Sequence, residues 1–147
     1  VTPDVKVIPI SVEHDAPDPL GFIITTGIET LLFVNDCKFF TADLSLIPFD
    51  YVMIESNYDG QTIHFALEQA KMDHDLANIK RYERLINSHM SLTNTIRHLQ
   101  KLNLTNCKAV FLMHLSDRHA NPNLFKQRVH EATKIPTYCC RKNGGLL

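Results

Sequence analysis

Residues 91–114, SLTNTIRHLQKLNLTNCKAVFLMH, decide the fold class. Ser91 is suited to cap a helix, and Leu92, Ile96 and Leu99 follow as an apolar stripe at helical spacing. After a polar stretch, Ala109-Val110-Phe111-Leu112-Met113 is wholly apolar, as a buried strand is. A helix feeding a buried strand is the unit from which α/β proteins are built. Downstream the unit repeats. Asn121 and Pro122 make a cap and first-turn pair for a helix carrying Phe125, Val129 and Ala132, and Thr137 to Cys140 reads as a last strand.

Upstream, Thr62 to Ile86 is polar and helix-forming, with Ile63, Leu67 and Ala70 and then Ile79, Tyr82 and Ile86 at helical spacing, which predicts one broken helix or two. Tyr51-Val52-Met53-Ile54 is too short for a helix and ends in the polar Glu55-Ser56-Asn57, as a buried strand with a functional edge does. The first third is strand-like: Val5 to Val12, Gly21 to Thr26 and Thr30 to Val34, punctuated by Pro17, Asp18, Pro19 and Gly27. The expected architecture is a strand meander followed by helix-strand units, in one unit over residues 1–147 without repeats or linkers.

Composition narrows the function classes. A net charge of −1 and an isoelectric point near 6.8 leave no global basic field, so a large duplex-DNA footprint is not expected and any nucleotide contact must be local. The four cysteines, Cys37, Cys107, Cys139 and Cys140, lack metal-finger spacing and sit in apolar runs, which points to reduced, buried thiols and a cytoplasmic setting. No run approaches the roughly 20 apolar residues of a membrane span, so no membrane partner is expected. The sequence opens Val1-Thr2-Pro3 and enters a strand at once, which suggests a chain cut from a longer one.

Of eight histidines, His64, His74, His98 and His130 lie in polar helical stretches without a partner pattern. The others are not scattered. His14 follows a strand and precedes a proline-rich turn, His114 ends the strand Val110 to Met113, and His89 stands just before a helix cap. Asp36 directly follows Leu31-Leu32-Phe33-Val34-Asn35. Each alone fits a turn or cap. Together they place imidazole nitrogens and a carboxylate at the polar ends of strands, the donor set a hydrolytic zinc or manganese site needs, and a bridging carboxylate holds two ions about 3.5–4 Å apart.

These segments resemble successive motifs of the metallo-β-lactamase superfamily. They are Val12-Glu13-His14-Asp15-Ala16-Pro17-Asp18-Pro19-Leu20-Gly21-Phe22, Leu32-Phe33-Val34-Asn35-Asp36, Ser88-His89-Met90-Ser91 and Met113-His114-Leu115-Ser116, in that order. The branch they look most similar to is that of ribonuclease Z-like and phage or bacterial phosphodiesterase-like hydrolases. The resemblance implies an α/β fold, the C-terminal portion of an αββα sandwich. It makes His14 a ligand of one metal, Asp36 the carboxylate bridging both, and His114 a ligand of the second. His89 becomes the phosphate contact and proton donor to the leaving group, and with Asp36 forms the catalytic pair. Ser91, Asn57, Ser116 and Arg118 fall to the substrate side, His119 beside Arg118 is also placed to meet a phosphate, and Glu55-Ser56-Asn57-Tyr58 is similar to a Glu-X-Asn segment that positions the site.

The family's His-X-His-X-Asp-His motif is not in the sequence. What the resemblance implies is therefore an incomplete domain of a metal-dependent hydrolase, cleaving a nucleotide or nucleic-acid phosphodiester with hydroxide generated at two zinc ions, manganese being the alternative metal. This chain alone is expected to be inactive, to expose apolar sheet surface, and to form a homo-oligomer or join a companion N-terminal chain. The competing reading is a degenerate module that binds a nucleotide without hydrolysing it, or a purely structural half-domain.

Overall fold

A computed structural model describes residues 4–147, and the opening Val1-Thr2-Pro3 lies outside the described residues. The chain runs β1 (Lys6–Glu13), β2 (Leu20–Thr25), β3 (Thr30–Val34), β4 (Phe39–Phe40), β5 (Tyr51–Glu55), α1 (Gly60–Met72), α2 (Leu76–Ser88), α3 (Leu92–Leu99), β6 (Ala109–Met113), α4 (Pro122–Thr133) and β7 (Thr137–Cys139). The strands form one seven-stranded sheet in the order β4-β1-β2-β3-β5-β6-β7. β1 pairs antiparallel with β2 and β4, and β2 with β3, which is the expected meander. From β3 onward the pairings with β5, β6 and β7 are parallel, as helix-strand units require.

The two faces of the sheet differ. Ile23, Leu32, Val52 and Val110 lie in register across it, and Val34, Ile54, Leu112 and Cys139 form the next row; all are buried. Leu92 and Leu99 of α3 and Phe125 and Val129 of α4 join them in one core. Burying side chains of this size contributes about 1.5–3 kcal/mol each, so this face holds the domain together. Gly21 sits in β2 where a Cβ would meet the Phe33 carbonyl at 3.1 Å and Val34 Cγ2 at 3.1 Å, so any side chain there would press β2 and β3 slightly apart. On the other face Phe22, Phe33, Met53, Phe111 and Tyr138 make a continuous cross-strand row of half-buried and exposed side chains.

The broken helical stretch is two helices. His74 takes a left-handed conformation (φ 53°) and Asp75 caps α2 through the Asn78 amide. Ser91 caps α3, and Asn121 with Pro122 starts α4, both as expected. β4, only two residues long, gives no periodic signal in the sequence. Cys37, Cys107 and Cys139 are buried thiols, Cys140 is half-buried, and all four are free. Among the described residues no helix is long and apolar enough to cross a membrane.

Candidate metal centre

Parallel strands end side by side, so the residues just beyond β3, β5 and β6 emerge at one edge of the sheet. Asp36 comes two residues after β3, Glu55 is the last residue of β5, and His114 comes directly after β6. His14 leaves β1 at the same edge, held there by the Glu13–Phe39 pairing and the Lys38 amide bond to the Glu13 carbonyl. His89 arrives from the other direction, as the C-cap of α2. The four residues singled out in the sequence thus converge despite being spread over 101 positions from His14 to His114.

Asp36 Oδ1 is the hub. It lies 3.1 Å from His14 Nε2, 3.4 Å from His89 Nδ1 and 3.6 Å from His114 Nδ1. In His89 and His114 the nitrogen nearest Asp36 is Nδ1, the same atom that faces Glu55, so the two carboxylates gather these rings from one side. One ligand atom from each of Asp36, Glu55, His89 and His114 falls within a 4.8 Å cluster. Asp36 and His114 both have left-handed backbone, φ 56° and 55°. For residues with a Cβ that conformation costs of order 1 kcal/mol or more, and it aims both side chains back across the strand ends.

Glu55 is fully buried and binds from beneath. Its Oε1 lies 2.8 Å from His89 Nδ1 and 3.2 Å from His114 Nδ1, and its Oε2 accepts the Cys37 amide. Burial pushes the Glu55 carboxyl up, but the hydrogen bonds from His114, His89 and the Cys37 amide outweigh it and hold the group below its ordinary value. The bond to Glu55 correspondingly raises His114. With Nδ1–H of each ring given to Glu55, Nε2 is the nitrogen left for a metal or a substrate. Burial pushes the Cys37 thiol up to about 12, so the residue beside Asp36 is an uncharged thiol near neutral pH.

His14 is differently placed. The Ala16 amide donates to its Nδ1 (3.0 Å), which puts the ring proton on Nε2, facing Asp36. To ligate through Nε2 the ring must carry its proton on Nδ1 instead, where Asp15 Oδ1 at 3.2 Å is the acceptor at hand. Arg84 of α2 fixes that carboxylate at 2.8 Å.

The substrate-side residues have structural engagements. Ser91 Oγ accepts the Asn94 amide as the α3 cap, Asn57 Nδ2 donates to the His114 carbonyl at 2.6 Å, and Ser116 Oγ accepts the Arg118 and His119 amides. Arg118 is exposed. His119 does not meet a phosphate in this structure: it is 7 % exposed, packs edge-on against Tyr82 at 5.3 Å, and both ring nitrogens are buried without a partner. The sequence shows where His119 stands, not that α2 covers it. Glu55 as a shared clamp is also invisible in the sequence; the only signal is a carboxylate closing an apolar strand.

No protein-family model matches the chain, and no curated protein matches its sequence. Solved structures do match in three dimensions. The metallo-β-lactamase fold protein YhfI from Bacillus subtilis superposes with a TM-score of 0.65 at 11% identity, over 100% of this chain and 51% of that one. Igni18, a metallo hydrolase from the hyperthermophilic archaeon Ignicoccus hospitalis, gives 0.64 at 16% identity, over 99% and 53%. The short form of human tRNase Z gives 0.54 at 16% identity, over 80% and 38%. The chain therefore has the metallo-β-lactamase fold over the part it covers, and it spans about half the length of the first two structures.

Proposed function

We propose that a chain with this fold and this cluster carries one flank of the active site of a metal-dependent hydrolase acting on a nucleotide or nucleic-acid phosphodiester. The observation that carries the reading is the meeting of three imidazoles on one Asp36 oxygen, at 3.1–3.6 Å, above a buried carboxylate. His14, Asp36 and His114 would hold the metal, with Asp36 placed between both ligand rings. Divalent ions held there would supply Lewis acidity toward the phosphoryl group and lower the pKa of bound water; zinc would suit the imidazole and carboxylate donors, with manganese second.

The chain's own residues supply the remaining steps. Glu55 accepts from Nδ1 of His89 and fixes the ring; with both ring nitrogens protonated, Nε2–H would pass its proton to the departing oxygen and leave the neutral imidazole on Glu55, a role that commonly contributes about 10²–10⁴-fold. Exposed Arg118, after the His114 turn, supplies positive charge for the phosphate. Three ligands would hold two ions only weakly, so a tight two-metal site would need further ligands besides these three. The phosphodiester substrate is favoured by the resemblance of the segment around the Glu55-supported His89 to the His-Ser/Thr element of ribonuclease Z-like enzymes, and by the likeness to a structure named as a tRNase.

The test is paired metal analysis and hydrolysis of bis(p-nitrophenyl) phosphate on the protein at its natural length. Asp36→Ala should lose both metal and turnover. His89→Ala should keep metal content nearly intact and lose roughly 10²-fold or more in turnover. Full activity in Asp36→Ala refutes the site, and metal loss in His89→Ala assigns His89 as a ligand instead of a proton donor. Nucleotide binding without turnover in the unaltered protein would favour the non-catalytic module.

A further inference from the structure

A cavity of about 620 Å³ opens between the segment that leaves β4 and the side of α3. Its size lies within the roughly 300–1,000 Å³ of small-molecule sites. One wall is a stacked pair: the Phe40 and His98 rings lie 4.1 Å apart with planes at 21°. Phe40 is buried, so the ring His98 presents is the end of the stack. Burial, with Lys101 adding to it, pushes the His98 imidazole below its ordinary value, which leaves an uncharged aromatic surface near neutral pH. Arg97, in the last turn of α3, and Lys101, just past its C-cap Gln100, are exposed on the same lining. The lysine and arginine ion pairs among the described residues involve Lys71, Arg84 and Lys108, so both cations of the cavity are free. The acid on the lining, Asp43, turns its carboxylate onto the Ser45 amide at 3.1 Å.

An aromatic platform beside two free cations suits a ligand that is aromatic at one end and anionic at the other. α3, which carries Arg97 and His98, is capped by Ser91, two residues after His89, and His98 stands about 10 Å further along its axis. We propose that this cavity is a nucleotide subsite of the same substrate: His98 stacks the base of a nucleotide neighbouring the cleaved phosphodiester, and Arg97 and Lys101 hold its phosphate. Its place beside the cleaved bond rests on the phosphodiester reading of the metal cluster; its ligand chemistry rests on the cavity alone. Sequence-tolerant recognition follows, because every base has a π face and stacking needs no base-edge hydrogen bonds.

Calorimetric titration of the chelator-treated protein with adenosine 5′-monophosphate, and in parallel with ribose 5-phosphate and inorganic phosphate, tests this. The nucleotide should bind at least about tenfold tighter than ribose 5-phosphate, the difference being the stacked base. The charge reversal Arg97→Glu with Lys101→Glu, at two exposed positions, should weaken the nucleotide at least about tenfold. His98→Ala should remove the preference for nucleotide over ribose 5-phosphate, and Asp36→Ala should change none of these affinities. Absence of nucleotide binding, equal binding of the two sugar phosphates, or insensitivity to the charge reversal overturns the proposal. Failure of the two readings is separable. Nucleotide binding as described with full hydrolysis in Asp36→Ala leaves the cavity standing and refutes the metal site, and the reverse pattern refutes the cavity alone.

Discussion

Replacing Glu55 tests how far the cluster depends on the carboxylate beneath it. The side chain is fully buried and accepts from His89, His114 and the buried Cys37 amide. In Glu55→Ala the Cys37 N–H loses its partner in a dry environment, at about 1–3 kcal/mol, while the half-exposed imidazoles recover part of their loss from water. The burial penalty of the carboxylate disappears too, so the net destabilisation should be about 2–4 kcal/mol, toward the low side of that found when one partner of a buried charged pair is removed. Glu55→Gln keeps the volume and a carbonyl for one donor, so it should cost about half as much. Function should respond more evenly: both variants lose the charge that orients the two rings, and zinc affinity should fall about 10- to 100-fold in each. Urea unfolding of chelated protein gives the stability, and competition against a fluorescent zinc chelator gives the affinity. Wild-type zinc affinity in Glu55→Gln, with stability within about 0.5 kcal/mol, would show that the rings are held by something else and that Glu55 is no clamp.

At His119, burial followed by Arg81 and Arg118 holds the imidazole below its ordinary 6.5, so folding favours its neutral form. Its contribution is complete above pH 6.5 and is lost as pH falls through the lowered value, so chelated wild type should lose stability relative to His119→Leu between pH 7 and 5; parallel stability profiles would contradict it. At pH 7 the same variant should be about as stable as wild type or more so, because it removes two unpartnered buried nitrogens, as unfolding midpoints will show. Gly21→Ala should cost about 1–3 kcal/mol in urea unfolding, since the added Cβ meets main chain at 3.1 Å, and an unchanged midpoint would mean that β2 and β3 part without penalty.

What the sequence makes legible here is periodicity. The strands around Val52 and Val110 and the caps at Ser91 and Asn121 are written in apolar spacing and cap chemistry, and they fall where the pattern puts them. His14, Asp36 and His114 are legible as candidate site residues for the same reason, because each follows within two residues of a strand that fixes its place at the sheet edge. Side-chain partners are not periodic. That one Glu55 oxygen serves both His89 and His114 depends on β5 lying between β3 and β6, a long-range pairing with no local signature. His98 likewise reads as a polar helical histidine until β4, two residues long, brings Phe40 against it.

The left-handed backbone at Asp36 and His114 narrows the mutational neighbourhood of the site. Aspartate, asparagine and histidine are among the few residues with a Cβ that enter this conformation with any frequency. Two of those three are also hard-metal or borderline-metal donors. Backbone and a bound divalent ion would therefore draw on the same short alphabet. An exchange that keeps the charge, such as Asp36→Glu, is conservative on paper yet must change both the reach of the carboxylate and the ease of the turn that carries it. Stability alone would favour glycine at both turns, so a side chain of either kind there costs backbone energy that the fold by itself does not require.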